Sequence, residues 1–564
     1  MNHSPGKRDR KVTGAREVQL RLGVQGGFSY LASLLSMAPG LVICTQRLNA
    51  DLWYDEAYTL VHYVSRPWWE IVSDYSAPNN HILYSLLLRP LYILCQEETF
   101  LRIPGLLWAA GTLALVYAWT KHLTDEVAAV LATLWLGLTQ SFLTHVMELR
   151  GYGLSIFLTA LACWLGLTRS WATSIPSRLV LFLLLLSVAG MIYTIPTNLV
   201  VAIILTGLIG YRELQRATLR LSLFSDTVAA SLGILVGILL YLPVRHQIIQ
   251  AARLSQDWSL GGSFVLLKQL LSAVFHDWWP LLPLVVVGWI LLIRKETRPR
   301  RRSVVISKSG SGTLSVLSAK ELALWCLIGT LGPFILMGVL GIRPFVRHFL
   351  PCLIFLAVAS GVGLRGSLDE LLALFQGISK DRLSCSVWLC GRSQRKGRRY
   401  LRKRKYPSSS HLPPGLIMAV SGGVLLLVLG LASHYTYPRR LALQCNMGPV
   451  QDGYYNYYAA NYQPAAAIRF VSQDLAYRRT YAIVFALNDY YPLAYYLAME
   501  GVPQKRLPPE GLPEVVYFIT TPHNRSAVVG SMGGLPPELL GRIVVMQDFG
   551  YYCVEKLELS NLYH

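Results

Sequence analysis

Apolar segments recur along this chain from about residue 27 to residue 433, with short polar stretches between them. Several windows reach the ~17–20 apolar residues needed to cross a hydrocarbon core. The 564 residues are 53% hydrophobic and 15% charged, too apolar for a soluble protein of this size. The fold class expected is therefore an α-helical polytopic membrane protein. Spans are read at 27–46, 103–120, 127–146, 151–168, 178–194, 196–211, 226–244, 279–293, 321–341, 345–365 and 415–433. That is about 11 spans, within a range of about 10–13. Pro39 and Gly40 interrupt the first, and Tyr193 to Asn198 reads as a tight turn between two others. The first residues are charged and lack the pattern of a cleavable signal, so the first span is expected to act as an uncleaved anchor.

The net charge of +21 raises the question of nucleic acid, and its distribution answers it. Basic residues cluster at Lys7 to Arg21, Arg212 to Arg220, Arg294 to Lys308 and Arg392 to Lys405, between apolar spans. This is the positive-inside pattern, so no nucleic-acid partner is expected. The basic N-terminus 1–26, residues 212–220 and 294–308, and the loop 367–414 are then cytoplasmic. The loop 50–80, the region 245–278 and everything after 434 lie outside. On that count 81–95 begins and ends outside and is short for a span, so it is read as re-entrant or interfacial.

Residues 434–564 have a different texture, rich in Tyr and Pro. Short β-prone runs at 481–485, 515–519 and 543–546 alternate with helix-like segments at 464–476 and 490–499. The alternation predicts a small extracytoplasmic α/β domain. Of nine cysteines none has metal-ligand spacing. Cys445 and Cys553 flank the C-terminal domain, and a disulfide or two free thiols are both open there.

Four constellations carry possible chemistry. Asp55-Glu56 sits in an outer loop among Trp53, Tyr54 and Tyr58, an aromatic collar of interfacial type. Carboxylates beside a bilayer are expensive and functional by default. Asn79-Asn80-His81 is tethered close by, although a histidine in that position is more often a polar terminus than a catalyst. Glu148-Leu-Arg-Gly-Tyr152 falls on the same outer face, where an arginine beside a span commonly snorkels. Arg343-Pro-Phe-Val-Arg347-His348 runs against the positive-inside trend, and an anionic ligand would justify it.

Trp53-Tyr-Asp-Glu-Ala-Tyr58, followed by Asn80-His81 and Leu83 to Leu88, resembles the first outer loop of GT-C glycosyltransferases. The likeness is to the protein O-mannosyltransferase and aminoarabinose transferase group, families 39 and 83. Leu101-Arg102-Ile-Pro104, Glu148-Leu-Arg-Gly-Tyr152 and Arg347-His-Phe-Leu-Pro351 resemble that group's later elements in the same order. The prolines after His81 are missing, His348 replaces a usual tyrosine, and Leu149 replaces a small residue.

The resemblance implies a GT-C fold over 27–433. It implies an inverting transfer of a sugar from a polyprenyl-phosphate donor to a lipid, glycan or protein acceptor, on the extracytoplasmic face of a bacterial inner or plasma membrane. Asp55 and Glu56 are the catalytic candidates. Arg347, His348, Arg343 and His81 are the donor-phosphate candidates. Tyr54, Tyr58, Asn80, Glu148, Arg150 and Tyr152 are expected to line the site. No cofactor is expected; a divalent metal near Asp55-Glu56 stays open, with no ligand set for one. The alternatives are a flippase of lipid-linked sugars and a non-catalytic assembly subunit. Against a flippase, the acids lie in an outer loop and no inverted repeat of broken segments is visible.

Overall fold

A computed structural model describes residues 29–77, 79–168, 177–216, 225–253, 268, 281–297, 318–340, 346–388, 463–485, 490–506, 513–521, 525–530, 539, 542–549 and 552–559. The expected span 415–433, together with Arg343 and Cys445, lies outside these residues. The apolar segments fold into helices. Those that frame the site are α1 (Ser29–Gln46), α2 (Tyr54–Thr59), α3 (Trp68–Ser73), α4 (Ile82–Leu94), α5 (Glu98–Leu123), α6 (Glu126–Leu138), α7 (Gln140–Val146) and α8 (Tyr152–Thr168). Among the described residues five helices are long and apolar enough to cross a membrane, or up to seven if each bent pair is one span. The chain is a helical multi-pass membrane protein with an appended C-terminal α/β unit.

Two expected spans are not continuous. The segment 127–146 bends by 63° between α6 and α7, and the segment 226–244 bends by 40° between Ser225–Leu239 and Leu242–Gln250. At the first break Thr139 is extended, with its hydroxyl donating to the Trp135 carbonyl at 2.7 Å. An extended residue in place of a helical one ends the ladder, and the hydroxyl takes a carbonyl left over at the terminus. The bend swings α7 and the loop after it towards α2. The segment 81–95 forms α4, 13 residues long and short for a full crossing. The helix Leu353–Trp388 runs well past the expected span end at 365. Close crossing of α1 and α6 depends on Gly40, where a Cβ would meet the Gly137 carbonyl at 2.6 Å. Small residues at such contacts let membrane helices pack backbone to backbone.

The C-terminal unit is a five-stranded sheet of order β2-β1-β3-β5-β4. Its strands are β1 (Tyr481–Phe485), β2 (Lys505–Arg506), β3 (Val515–Thr520), β4 (Val544–Asp548) and β5 (Cys553–Glu558). β1 and β3 pair in parallel, while the other neighbours are antiparallel. β3 is central, and all six of its residues are buried, as its unbroken apolar run requires. Helices Pro464–Leu475 and Tyr490–Met499 pack the sheet onto the bundle. One apolar cluster runs through Leu52, Ala57, Leu60, Tyr84 and Leu149 into Ile468, Leu493, Tyr496 and Tyr517, so the unit shares a core with the outer loops.

Polar contacts fix this docking. Tyr496 Oη accepts from the Leu52 amide at 2.8 Å, and Tyr495 donates to the Gln96 carbonyl at 2.6 Å. Asp51 accepts from the Ala465 amide at 3.2 Å, capping the helix that opens the C-terminal unit. Burial pushes the Asp51 carboxyl up to about 6; the Ala465 hydrogen bond opposes this, Glu98 adds to it, and Arg102 and Arg469 oppose it. A carboxyl raised on folding holds a proton that the unfolded chain has already lost. Its contribution is therefore fully present below the unfolded value near pH 4 and is lost as pH rises through about 6. Protease sensitivity around residue 463 is expected to increase from about pH 4 to pH 7 in the wild type and to stay flat in Asp51→Asn.

Candidate active site

α2 is short, yet it presents three faces. Tyr54 and Tyr58, one turn apart, face the C-terminal helix: their rings meet Tyr491 at 5.1 and 4.7 Å, and Tyr491 Oη lies 2.7 Å from His62 Nε2. The two tyrosines thus belong to the seam between loop and C-terminal unit. Asp55 and Glu56, adjacent in sequence, project about 100° apart around the helix and enter different surroundings.

Glu56 points inward. Both of its oxygens lie within 3.0–3.2 Å of Arg102 Nη2. It also accepts from the Leu149 amide at 2.8 Å and the Trp53 amide at 3.2 Å. Arg102 and Glu56 are each 3% exposed, and Arg102 also donates to the Leu48 and Ala50 carbonyls. This fully bonded pair ties α2, α5 and the 147–151 loop together.

Asp55 faces away from Arg102 and is 14% exposed. Arg150 Nη1 donates to its Oδ2 at 2.7 Å, Arg347 Nη1 reaches the same oxygen at 3.5 Å, and Asn79 Nδ2 donates to Oδ1 at 3.1 Å. Asn79 in turn accepts from Arg150 Nη2 at 2.9 Å, closing a ring of three side chains. Arg150 lies over the Tyr152 ring at 4.9 Å and Arg347 at 6.0 Å, so one phenol carries both guanidinium groups. Arg347 and His348 come from the short helix Val346–Cys352, which leads into Leu353–Trp388.

His81 is buried at the N-cap of α4. Its Nδ1 accepts from the Gly151 amide at 2.7 Å, and its ring meets Tyr152 edge-on at 4.9 Å. Burial, then Arg150, Arg347 and His348, push its imidazole well below the usual range. It is therefore neutral, and the expectation of a third cation there is corrected. The approach is tight enough to require glycine: a Cβ on Gly151 would lie 2.8 Å from His81 Nδ1 and 2.5 Å from Thr194 Cγ2.

Asn80 is fully buried and its partners lie elsewhere. Its amide donates to the Ile71 and Asp74 carbonyls at 2.9 and 2.6 Å, and its oxygen accepts from Ser85 at 3.1 Å, pinning the outer loop to α4. Glu148 is buried beside His145, with 2.8 Å between Oε1 and Nδ1. Arg47, after α1, donates to the Thr144 carbonyl at 2.9 Å, beneath that pair. No group of three or more metal-ligating side chains occurs among the described residues.

No protein-family model matches the sequence, and no curated protein does. The solved structures similar to the chain include two of one protein. One is ArnT from Cupriavidus metallidurans in the apo state, 14% identical, covering 95% of this chain and 99% of that one, with a TM-score of 0.48. The other is the same protein bound to undecaprenyl phosphate, 14% identical, covering 93% and 97%, with a TM-score of 0.49.

Asp55, Arg150, Tyr152, Arg347 and His81, picked out from four separate sequence segments, therefore meet at one place. Asn79, Arg102 and His145 were not singled out as site residues. Asn79 stands next to Asn80 in the same triplet, and only the turn decides which amide faces the carboxylate. His145 precedes Glu148 by three residues, the spacing that joins side chains at a helix end; reading 127–146 as one straight span hid it.

Proposed function

We propose that the chain is a membrane glycosyltransferase. It moves a sugar, with inversion, from a polyprenyl-phosphate donor to an acceptor hydroxyl on the extracytoplasmic face. The observation that carries this reading is Asp55: a partly open carboxylate oriented by Asn79 and flanked by two guanidinium groups. A proton acceptor beside phosphate-binding cations is what displacement of a lipid phosphate by a hydroxyl requires. The ordered motif resemblance supports the same class.

The two arginines have different roles. Arg150 is 1% exposed, bonded to Asp55 and Asn79 and stacked on Tyr152, so it holds the base in place. Arg347 is 26% exposed and touches Asp55 at a looser 3.5 Å. Donor phosphate competes for Arg347, which must leave Asp55 to make room for the sugar between base and leaving group. As the anomeric bond breaks, charge gathers on the phosphate, and the Arg347 guanidinium held against it in a half-dry site stabilises it better than water does. Asp55 takes the acceptor proton. Glu56, saturated by Arg102 and two amides, positions α2 instead of exchanging protons.

Arg347→Ala is expected to weaken donor binding about 10–100-fold, the size of one or two charge-assisted hydrogen bonds, with acceptor affinity little changed. Arg347→Lys should recover only part, lacking the planar fork. Unchanged donor affinity in Arg347→Ala contradicts the assignment. The class of reaction is tested by incubating the purified full chain in nanodiscs with labelled polyprenyl-phosphate sugars and, separately, nucleotide sugars. Sugar release from the lipid donors alone is expected; release from nucleotide sugars alone rejects the reading.

A further inference from the structure

His145 and Glu148 form a pair that the Asp55 chemistry does not use. His145 is the second-last residue of α7, and Glu148 lies two residues beyond its end. Glu148 is 1% exposed, with Oε1 2.8 Å from His145 Nδ1. Burial pushes its carboxyl up, but the charges of His145, Arg150 and Arg47 outweigh that and hold it at about 2. An ionised carboxylate only accepts hydrogen bonds, so Nδ1 must carry the hydrogen. That fixes Nε2 as the atom that gains and loses a proton. The His145 side chain is 14% exposed, and Nε2 has no hydrogen-bond partner among the described residues. Its ring meets the Tyr152 ring at 5.4 Å, and Tyr152 carries Arg150 and Arg347. His145 thus stands across one phenol from the guanidinium groups that flank Asp55.

Resting on the transferase reading above, we propose that His145, oriented by Glu148, is the general acid of this site, donating its Nε2 proton to the phosphate of the lipid-linked donor as the sugar leaves. The bond between the anomeric carbon and the phosphate oxygen breaks, and its electron pair stays on that oxygen, which takes the Nε2 proton. The acceptor oxygen bonds to the anomeric carbon, and its hydrogen passes to Asp55. Asp55 then releases a proton to water and His145 recovers one, so the cycle closes without net proton change. Around the imidazole, Glu148 favours the charged form. Arg150 on the same loop, Arg347 from Val346–Cys352 and Arg47 after α1 oppose it, while the buried His348 beside Arg347 adds no charge. Tyr152 on α8 supplies a neutral ring.

The effect of an acid here is bounded by the leaving group. A phosphate monoester with a second pKa near 6 leaves readily without help. The gain is therefore at the low end of general-acid catalysis, about 10–100-fold, and not the ~10⁴ seen with poor leaving groups.

Two readouts on the full chain in nanodiscs test this. In transfer from a polyprenyl-phosphate sugar, His145→Gln should lower kcat about 10–100-fold, with donor KM changed less. The wild type should lose rate at alkaline pH as Nε2 deprotonates, and His145→Gln should lack that limb. Glu148→Gln should move the limb to lower pH, because the carboxylate that favours the imidazolium is gone; a packing role for His145 moves no limb. His145→Gln turning over at the wild-type rate, or keeping the alkaline limb, overturns the proposal. The second readout is binding of a polyprenyl monophosphate without sugar. The wild-type affinity should exceed that of His145→Gln about tenfold near pH 5.5 and match it near pH 8.5. Equal affinities at both pH values overturn the phosphate contact. Because binding needs no turnover, a chain that releases sugar from no lipid donor defeats the transferase reading while this second readout still decides whether His145 meets phosphate.

Discussion

Asp55→Asn is expected to yield a folded, membrane-inserted protein that transfers sugar about 10²–10⁴-fold more slowly than the wild type. The substitution keeps the size of the side chain and an oxygen to accept from Arg150, but removes the atom that takes the proton. The fold should survive because Arg150, although only 1% exposed, retains Asn79 at 2.9 Å, the face of Tyr152 and the nearby negative charge of Glu148. A carboxylate that is 14% exposed also has solvent to offset the change of charge. Initial rates at saturating donor, with thermal unfolding of the same sample, separate loss of chemistry from loss of structure. Wild-type turnover in Asp55→Asn sinks the assignment of the base.

The adjacent residue should respond in the opposite way. Glu56→Gln is expected to cost about 3–5 kcal/mol of stability, because it leaves the Arg102 guanidinium buried without its counter-charge. Arg102 is 3% exposed, so water cannot take over. The amide also has one acceptor oxygen where the carboxylate offers two, and the Leu149 and Trp53 amides compete for it. The expected record is poor yield and a lower melting temperature, with transfer retained in the protein that does fold. Replacing the pair together, Glu56→Gln with Arg102→Met, should regain part of the loss, since a buried ion pair exchanged for apolar volume is often near neutral. A stable but inactive Glu56→Gln would reverse the roles of the two acids.

Much of this architecture is legible from periodicity and charge. Apolar segments of bilayer length give the bundle, and the helices at 464–475 and 490–499 stand where the alternation with β-prone runs puts them. The sheet is less legible at its edges. β2 has two residues, Lys505–Arg506, and β5 carries Glu555, Lys556 and Glu558, so neither reads as an apolar run. The bends at Thr139 and after Leu239 are invisible to hydropathy, because the broken and unbroken helices have the same composition. At the site, sequence brings out the charged residues and is blind to their direction. Asp55 and Glu56 look alike as a pair. Only the one-residue rotation of α2, with Arg102 on one side and Asn79 on the other, makes one of them open and the other sealed. His81 reads as a cation from its residue type and is neutral from its burial and its Gly151 contact.

The most direct measurement is single-turnover transfer from a labelled polyprenyl-phosphate sugar by the wild type and by Asp55→Asn in the same nanodiscs, with the anomeric configuration of the product determined. An inverted product from the wild type and a single-turnover rate at least about 10²-fold lower in the variant are expected. A retained configuration, or equal single-turnover rates in the two proteins, would contradict inverting transfer with Asp55 as the base.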